Sequence, residues 1–282
     1  MYGLLIVPPP PEVGAAAQAL AQLLGGTAYD HRQPLLRNLP YVPAWREDVS
    51  EIRSMTSALH QVGAQAWPIA RAALEVGPVV WPARSFRLER GGITLVSRAE
   101  TVQIRWQDIG LALPCRADFG EATTTTTTTK KQSLMRLAMG VPIAGKKVEV
   151  EQERSTEHSF FCLVWARTAA PGGQEVIARL DAEGLDYAGL GAQKTSSSTA
   201  NYLILIRAIE AAVGAAWDPR LERAGGKIVP IGAPPVQSRA SPSRSTKVET
   251  VASSWDTDGA VVQAARLLII AARLRAANAG RT

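Results

Sequence analysis

The first seventy residues constrain the fold of this 282-residue chain most, because apolar runs and helical stripes alternate there at short intervals. Leu4, Leu5, Ile6 and Val7 predict a buried strand, Tyr2–Val7. It ends at the prolines 8–11, which cannot continue a ladder but can open a helix. A helix is predicted over Val13–Leu24, with Ala16, Leu20 and Leu23 at helical spacing and Gly25-Gly26 as its stop. A second helix, Asp30–Asn38, is expected to be capped by Asp30 and to turn Leu35 and Leu36 inward. A third, Val49–Val62, carries Ile52, Met55, Leu59 and Val62 in one stripe behind a cap at Asp48 or Ser50. A strand, Ala64–Pro68, closes the unit.

An apolar content of 46% can fill real cores, and the length suits about two domains of roughly 150 residues. Cys115 and Cys162 lie far apart without Cys-x-x-Cys spacing, so neither a disulfide framework nor a zinc site is expected and a reducing cytoplasm fits. Met1 runs straight into a strand without a basic leader, which argues against a secretory signal. The apolar run Ala260–Ala272 is broken by Gln263 and Arg266 and falls short of the about 20 residues that span a bilayer. Charge is uneven. Residues 1–219 hold 21 Lys plus Arg against 21 Asp plus Glu, whereas residues 220–282 hold 10 against 4, so the whole net charge of +6 belongs to the tail. An acidic partner would feel that segment first.

The stretch Leu39-Pro40-Tyr41-Val42 through Asp48-Val49-Ser50-Glu51, followed by Ala58-Leu59-His60-Gln61-Val62-Gly63-Ala64-Gln65-Ala66, resembles the C-terminal domain of the bacterial ribosomal stalk protein and its relative, the Clp protease adaptor. The resemblance covers about a quarter of the chain and implies a small α/β fold with an adaptor-type role. That family contacts translation factors through a Gly-Leu-Gly-Leu and Lys-rich stretch opening its second helix. Here the position reads Thr27-Ala28-Tyr29-Asp30-His31-Arg32, so stalk activity is not implied.

Residues 70–82 read as a connector, after which two-residue periodicity takes over. Phe86-Arg87-Leu88 and Ile93-Thr94-Leu95-Val96 flank Glu89-Arg90-Gly91-Gly92, a hairpin signal, and Val102–Trp106 alternates strictly. The phrase from Phe86 to Ile109 resembles the opening meander of bacterial pleckstrin-homology-like domains, with a tryptophan and an Asp-Ile pair closing the third strand. Seven threonines, Thr123–Thr129, specify no register, so residues 116–132 are expected as a mobile loop. Strands resume at Val148–Val150, Ser159–Trp165 and Glu175–Leu180, and a helix over Ala200–Val213 lines up Leu203, Ile206, Ile209 and Val213. Residues 219–258, rich in Pro, Ser, Gly and Arg, read as a disordered basic linker. Asp258 can cap a final amphipathic helix over 259–279 whose Val261, Ala265, Leu268 and Ala272 face one way.

Polar groups fall mostly where turns and caps need them. Glu157, His158 and Cys162 are close in sequence, and His158, Phe160 and Cys162 would share a strand face, yet packing explains them more simply than a metal. Glu149, Glu151 and Glu153 alternate along a wet strand face, and Asp181, Glu183 and Asp186 cluster at a turn around Gly184. Gly189-Leu190-Gly191 before Lys194-Thr195 and Ser196–Ser198 is a candidate phosphate loop, but its spacing is not that of a P-loop, and a helix start capped by Ser198 or Thr199 is the plainer expectation. The tail arginines Arg239, Arg244, Arg266 and Arg273, with Lys247, could meet phosphates, but one aromatic, Trp255, and no groove-reading motif argue against specific nucleic-acid recognition.

The expected architecture is α+β: a small unit at 1–70, a mostly antiparallel sheet domain at 79–218 with a closing helix, the linker, and the short helix. The expected function is that of a non-enzymatic cytoplasmic binding or adaptor protein with an unidentified protein partner and no cofactor, metal or catalytic set. Its contact surface is expected at Tyr29, His31 and Arg32, with Tyr41 and Trp45 nearby. Two alternatives stand beside it. One is an enzyme using Gly189, Gly191, Lys194 and Thr195 on a phosphorylated or acidic small molecule. The other is a peripheral membrane protein held by the terminal helix and the pleckstrin-like sheet, with the tail making weak contact to acidic surfaces.

Overall fold

The computed structural model describes residues 1–75, 80–98, 100–131, 145–167, 174–224, 237–242 and 246–279. It is a mixed α+β structure with mostly antiparallel sheets and a C-terminal helix. Two compact units are present: residues 1–117 with 159–228 and 259–282, and residues 118–158 with 229–258. The N-terminal region is therefore part of the larger unit, not a separate domain over 1–70.

In that unit β1 (Tyr2–Val7) lies between β2 (Trp45–Arg46) and β3 (Gln65–Ala70), antiparallel to both. Period-two alternation gives this sheet two apolar faces. Leu4 and Ile6 face α1 (Val13–Leu24), α2 (Ala28–Leu36) and α3 (Val49–Gln61), whose Leu20, Leu35, Ile52 and Leu59 are buried against them. Leu5 and Val7 point the other way, to Leu267 and Ala271 of the last helix, α7 (Asp258–Ala279). The cap of α2 is Thr27, not Asp30; its hydroxyl accepts from the Asp30 amide while the Asp30 carboxylate accepts from the Thr27 amide, a capping box.

The same helix covers a second sheet. Val261, Ala265, Leu268 and Ile269 of α7 pack with Leu221 on Leu113, Cys115, Phe161, Leu163, Trp165 and Ile177. These belong to β8 (Ile109–Lys131), β9 (Gly145–Arg167) and β10 (Glu175–Asp181) of a six-stranded sheet. The opposite face carries Cys162, Val164, Ala178 and Leu180, buried with the meander β5 (Ser85–Glu89), β6 (Gly92–Val96) and β7 (Thr101–Arg105), and with α5 (Ser198–Val213). A strand buried on both faces reads as a continuous apolar run, which is how Phe161–Ala166 reads. The region expected as a connector is instead α4 (Arg71–Glu75) and β4 (Val80–Pro82), which pairs parallel with β10; residues 76–79 lie outside the described residues.

The second unit corrects two expectations. The threonine tract is not a loop: it continues β8, paired antiparallel with β12 (Thr246–Asp256) from Thr123 opposite Ala252 to Thr129 opposite Thr246. Register comes from outside the tract, where the Asp118 amide donates to Thr257 Oγ1 at 2.7 Å and Trp255 sits opposite Gly120. Nor is 219–258 a continuous linker, since it contains α6 (Arg220–Ala224), β11 (Gln237–Pro242) and β12. Residues 225–236 and 243–245 lie outside the described residues.

Candidate functional site

Ordinary helix and turn rules build one basic cleft in the larger unit. Helix α2 ends when Asn38 takes a left-handed conformation, φ 57°, a turn asparagine tolerates better than most residues. The Arg37 amide donates back to the Pro34 carbonyl at 3.2 Å, so Arg37 closes the last turn facing outward. Across from it, α6 starts at Asp218, whose carboxylate accepts from the Arg220 amide at 3.1 Å. The five-residue helix then presents Arg220 and Arg223. Gln33, Leu36, Arg37, Asn38, Arg220 and Arg223 line a cavity of about 290 Å³ between these elements.

The arginines differ in freedom. Arg220 is held by Asp218 through Nη2 to Oδ2 at 2.6 Å and Nε to both carboxylate oxygens at 3.0 Å, and it donates to the Pro8 carbonyl at 3.2 Å. That pair is positioned and electrically neutral. Arg37 and Arg223 are exposed and, among the described residues, have no carboxylate within ion-pair distance. Arg275 of α7 adds to the positive field: desolvation lowers its pKa, the Arg220 charge lowers it further, and Asp218 opposes both. Asn38 is part of the lining, but its Oδ1 is turned away from solvent, buried without a hydrogen-bond partner among the described residues. A cleft with two uncompensated guanidinium groups can receive an anionic molecule.

The predicted surface residues divide. Tyr29 is 68% exposed and shares the outward stripe of α2 with Arg32, Gln33 and Leu36. Leu36, expected to turn inward, is 55% exposed on that stripe, while Leu35 takes the core position. His31 turns back, its Nε2 donating to the Gly25 carbonyl at 2.8 Å. Tyr41 and Trp45 are half-buried and pack inward. Tyr41 pairs its backbone with Ile6, and burial raises its phenol pKa. Trp45 packs with Leu5, Val7 and Leu267.

The loop after β10 does not form a phosphate cradle. Gly189 is pressed against β5, where an added Cβ would lie 2.0 Å from the Phe86 carbonyl oxygen. The Thr195 amide donates to Asn201 Oδ1 at 2.6 Å, the Ser197 amide to Thr195 Oγ1 at 3.2 Å and the Lys194 amide to the Gly191 carbonyl at 3.2 Å. Gly191 makes the turn at φ 55°, and Lys194 lies 3.9 Å from Asp186. The cap of α5 is Ser197, which accepts from the Ala200 amide. Asp186 accepts from the Ala188 amide, and Asp181 pairs with Arg179 at 2.8 Å, so these acids serve a turn and an ion pair.

His158 Nδ1 meets the nearly buried Asp118 carboxylate at 2.9 Å, whereas Cys162 is completely buried in the core and its thiol is pushed up to about 12 by that burial. Among the described residues no three His, Cys, Asp or Glu groups gather around a metal position. The side chains of Glu149, Glu153, Arg239, Arg244, Lys247 and Trp255 lie outside the described residues. Arg266 donates to the Leu74 carbonyl and Arg273 pairs with Glu175, so both tie α7 to its neighbours. Ser198–Ala216 is long and apolar enough to cross a membrane, yet its Tyr202, Leu205, Ile206 and Ile209 are buried in the sheet core. No known protein family, curated protein or solved structure matches this chain.

Sequence reasoning missed Arg37, Arg220 and Arg223. They lie far apart in the chain, and the one available signal was the excess of positive charge that begins at residue 220.

Proposed function

We propose that this is a non-enzymatic cytoplasmic binding or adaptor protein whose cleft between α2 and α6 receives an acidic segment of a partner protein. The observation that carries this reading is the pair Arg37 and Arg223, exposed at one cavity with no carboxylate partner among the described residues. Like charges held together without compensation raise the local potential, and an incoming carboxylate relieves it while gaining bidentate hydrogen bonds. The fixed Arg220–Asp218 pair keeps the wall in place at no further ordering cost. The resemblance of the N-terminal region to an adaptor fold agrees with a recognition role.

Fluorescence anisotropy with a labelled short peptide of alternating Glu and Gly tests the proposal. Wild-type protein binds it saturably at low ionic strength, and the double variant Arg37→Ala/Arg223→Ala weakens binding by roughly tenfold or more. The same loss of charge elsewhere, Arg87→Ala/Arg90→Ala on the exposed β5–β6 hairpin, leaves binding intact. Equal affinity in wild type and the cleft variant would overturn the proposal.

A further inference from the structure

Resting on the acidic-partner reading, we infer that the cleft recognises a peptide segment combining carboxylates with an apolar anchor, the anchor lying along α2 on Leu36 and Tyr29. Positions 29, 33 and 36 follow one another by four and three residues, so their side chains form one stripe on the face opposite buried Leu35. Leu36 belongs both to this stripe and to the wall of the arginine cleft. Large apolar side chains exposed singly are common; here two of the five exposed large hydrophobic residues described in the chain sit on one stripe leading into a basic cavity. Burying Leu36 and Tyr29 requires apolar atoms from the ligand, and satisfying Arg37 and Arg223 requires anionic ones.

One feature favours a peptide over a small anion such as phosphate. Tyr29 and Leu36 expose apolar surface on the stripe leading into the arginine cleft, and a phosphate ion has no apolar atoms with which to cover it. An acidic segment with apolar residues one helical turn apart thus meets both the guanidinium groups and the apolar stripe with their complements.

The test compares two labelled peptides of equal charge by anisotropy: the Glu–Gly peptide, and one in which two glycines, four residues apart, are replaced by leucine. The leucine peptide binds roughly tenfold more tightly to the wild-type protein, and in Leu36→Ser the ratio of the two affinities falls to about one. Inorganic phosphate displaces the leucine peptide no better than sodium chloride of equal ionic strength. If the leucine peptide gains nothing, or keeps its gain in Leu36→Ser, this inference fails while the acidic-partner reading stands. Displacement by phosphate far beyond the salt control identifies a small-anion site and overturns the inference. If neither peptide depends on Arg37 and Arg223, the underlying reading itself fails.

Discussion

Gly189 shows how one atom can decide a loop. Its missing Cβ leaves room for the Phe86 carbonyl oxygen, which a methyl group would meet at 2.0 Å with backbone on both sides. Gly189→Ala should therefore cost about 1–3 kcal/mol or more, read as a lower urea midpoint with unchanged slope, because neither strand β5 nor the loop can yield cheaply. Two buried acids add a pH signature. Burial raises the Cys162 thiol from 9.0 to about 12, and burial with a contribution from Asp181 raises the Tyr187 phenol from 10.0 to about 12. In both cases folding favours the protonated form, so the stabilisation is full below pH 9 and is lost as pH rises toward about 12. Urea midpoints measured across that range should fall, and Tyr187→Phe, which removes the hydroxyl donating to the Ala182 carbonyl at 2.8 Å, should flatten part of the fall. The Gly189–Ser198 composition suggested a phosphate loop because glycine, serine and lysine serve both purposes. What decided the matter was contact with Phe86 and Asn201, and no local pattern encodes those contacts.

At the scale of elements, α7 carries the fold. Its Leu267 and Ala271 fill one side of the β1–β3 sheet while Val261, Ala265, Leu268 and Ile269 fill one side of the six-stranded sheet. The sequence displayed a single stripe, Val261, Ala265, Leu268 and Ala272, and so predicted a helix with one face to bury. A helix clasped between two sheets needs a second apolar face, supplied by Leu267, Ile270 and Leu274 and present in the sequence as the unbroken apolar run Leu267–Ala272, which a single-stripe reading does not use. Leu268→Ala should cost about 2–5 kcal/mol by leaving a cavity, whereas Leu203→Ala on the 47% exposed site of α5 should stay within about 0.5 kcal/mol. Thermal or urea unfolding separates the two. Local pattern located most helices and the β5–β6 hairpin, since caps, glycine stops and alternation are short-range signals. It failed on the threonine tract because identical residues state no register, and register there is supplied by Asp118, Thr257 and the strand opposite.

For the molecule as a whole, charge is better described by destination than by sequence position. Among the described residues of the tail the basic groups have separate destinations: Arg266 and Arg273 bind Leu74 and Glu175, Arg220 is neutralised by Asp218, and Arg223 joins Arg37 at the cleft. Counting charges along the chain could flag residues 220–282 but could not bring Arg37 to them, because that meeting depends on α7 holding the N-terminal sheet beside the six-stranded one. The cleft was therefore illegible even where its parts were plain. Its electrostatics give a last prediction. Arg37 and Arg223 are solvent-exposed, so their attraction for a carboxylate is screened once the Debye length shrinks toward the contact distance. Raising salt from about 0.05 to 0.3 M should weaken Glu–Gly peptide binding roughly tenfold by anisotropy. The leucine peptide, whose contact with Leu36 is apolar and little affected by ions, should lose the same fold while staying roughly tenfold tighter at every salt concentration. Coincident lines for the two peptides would mean that the arginines alone hold both, and that Leu36 contributes nothing to recognition.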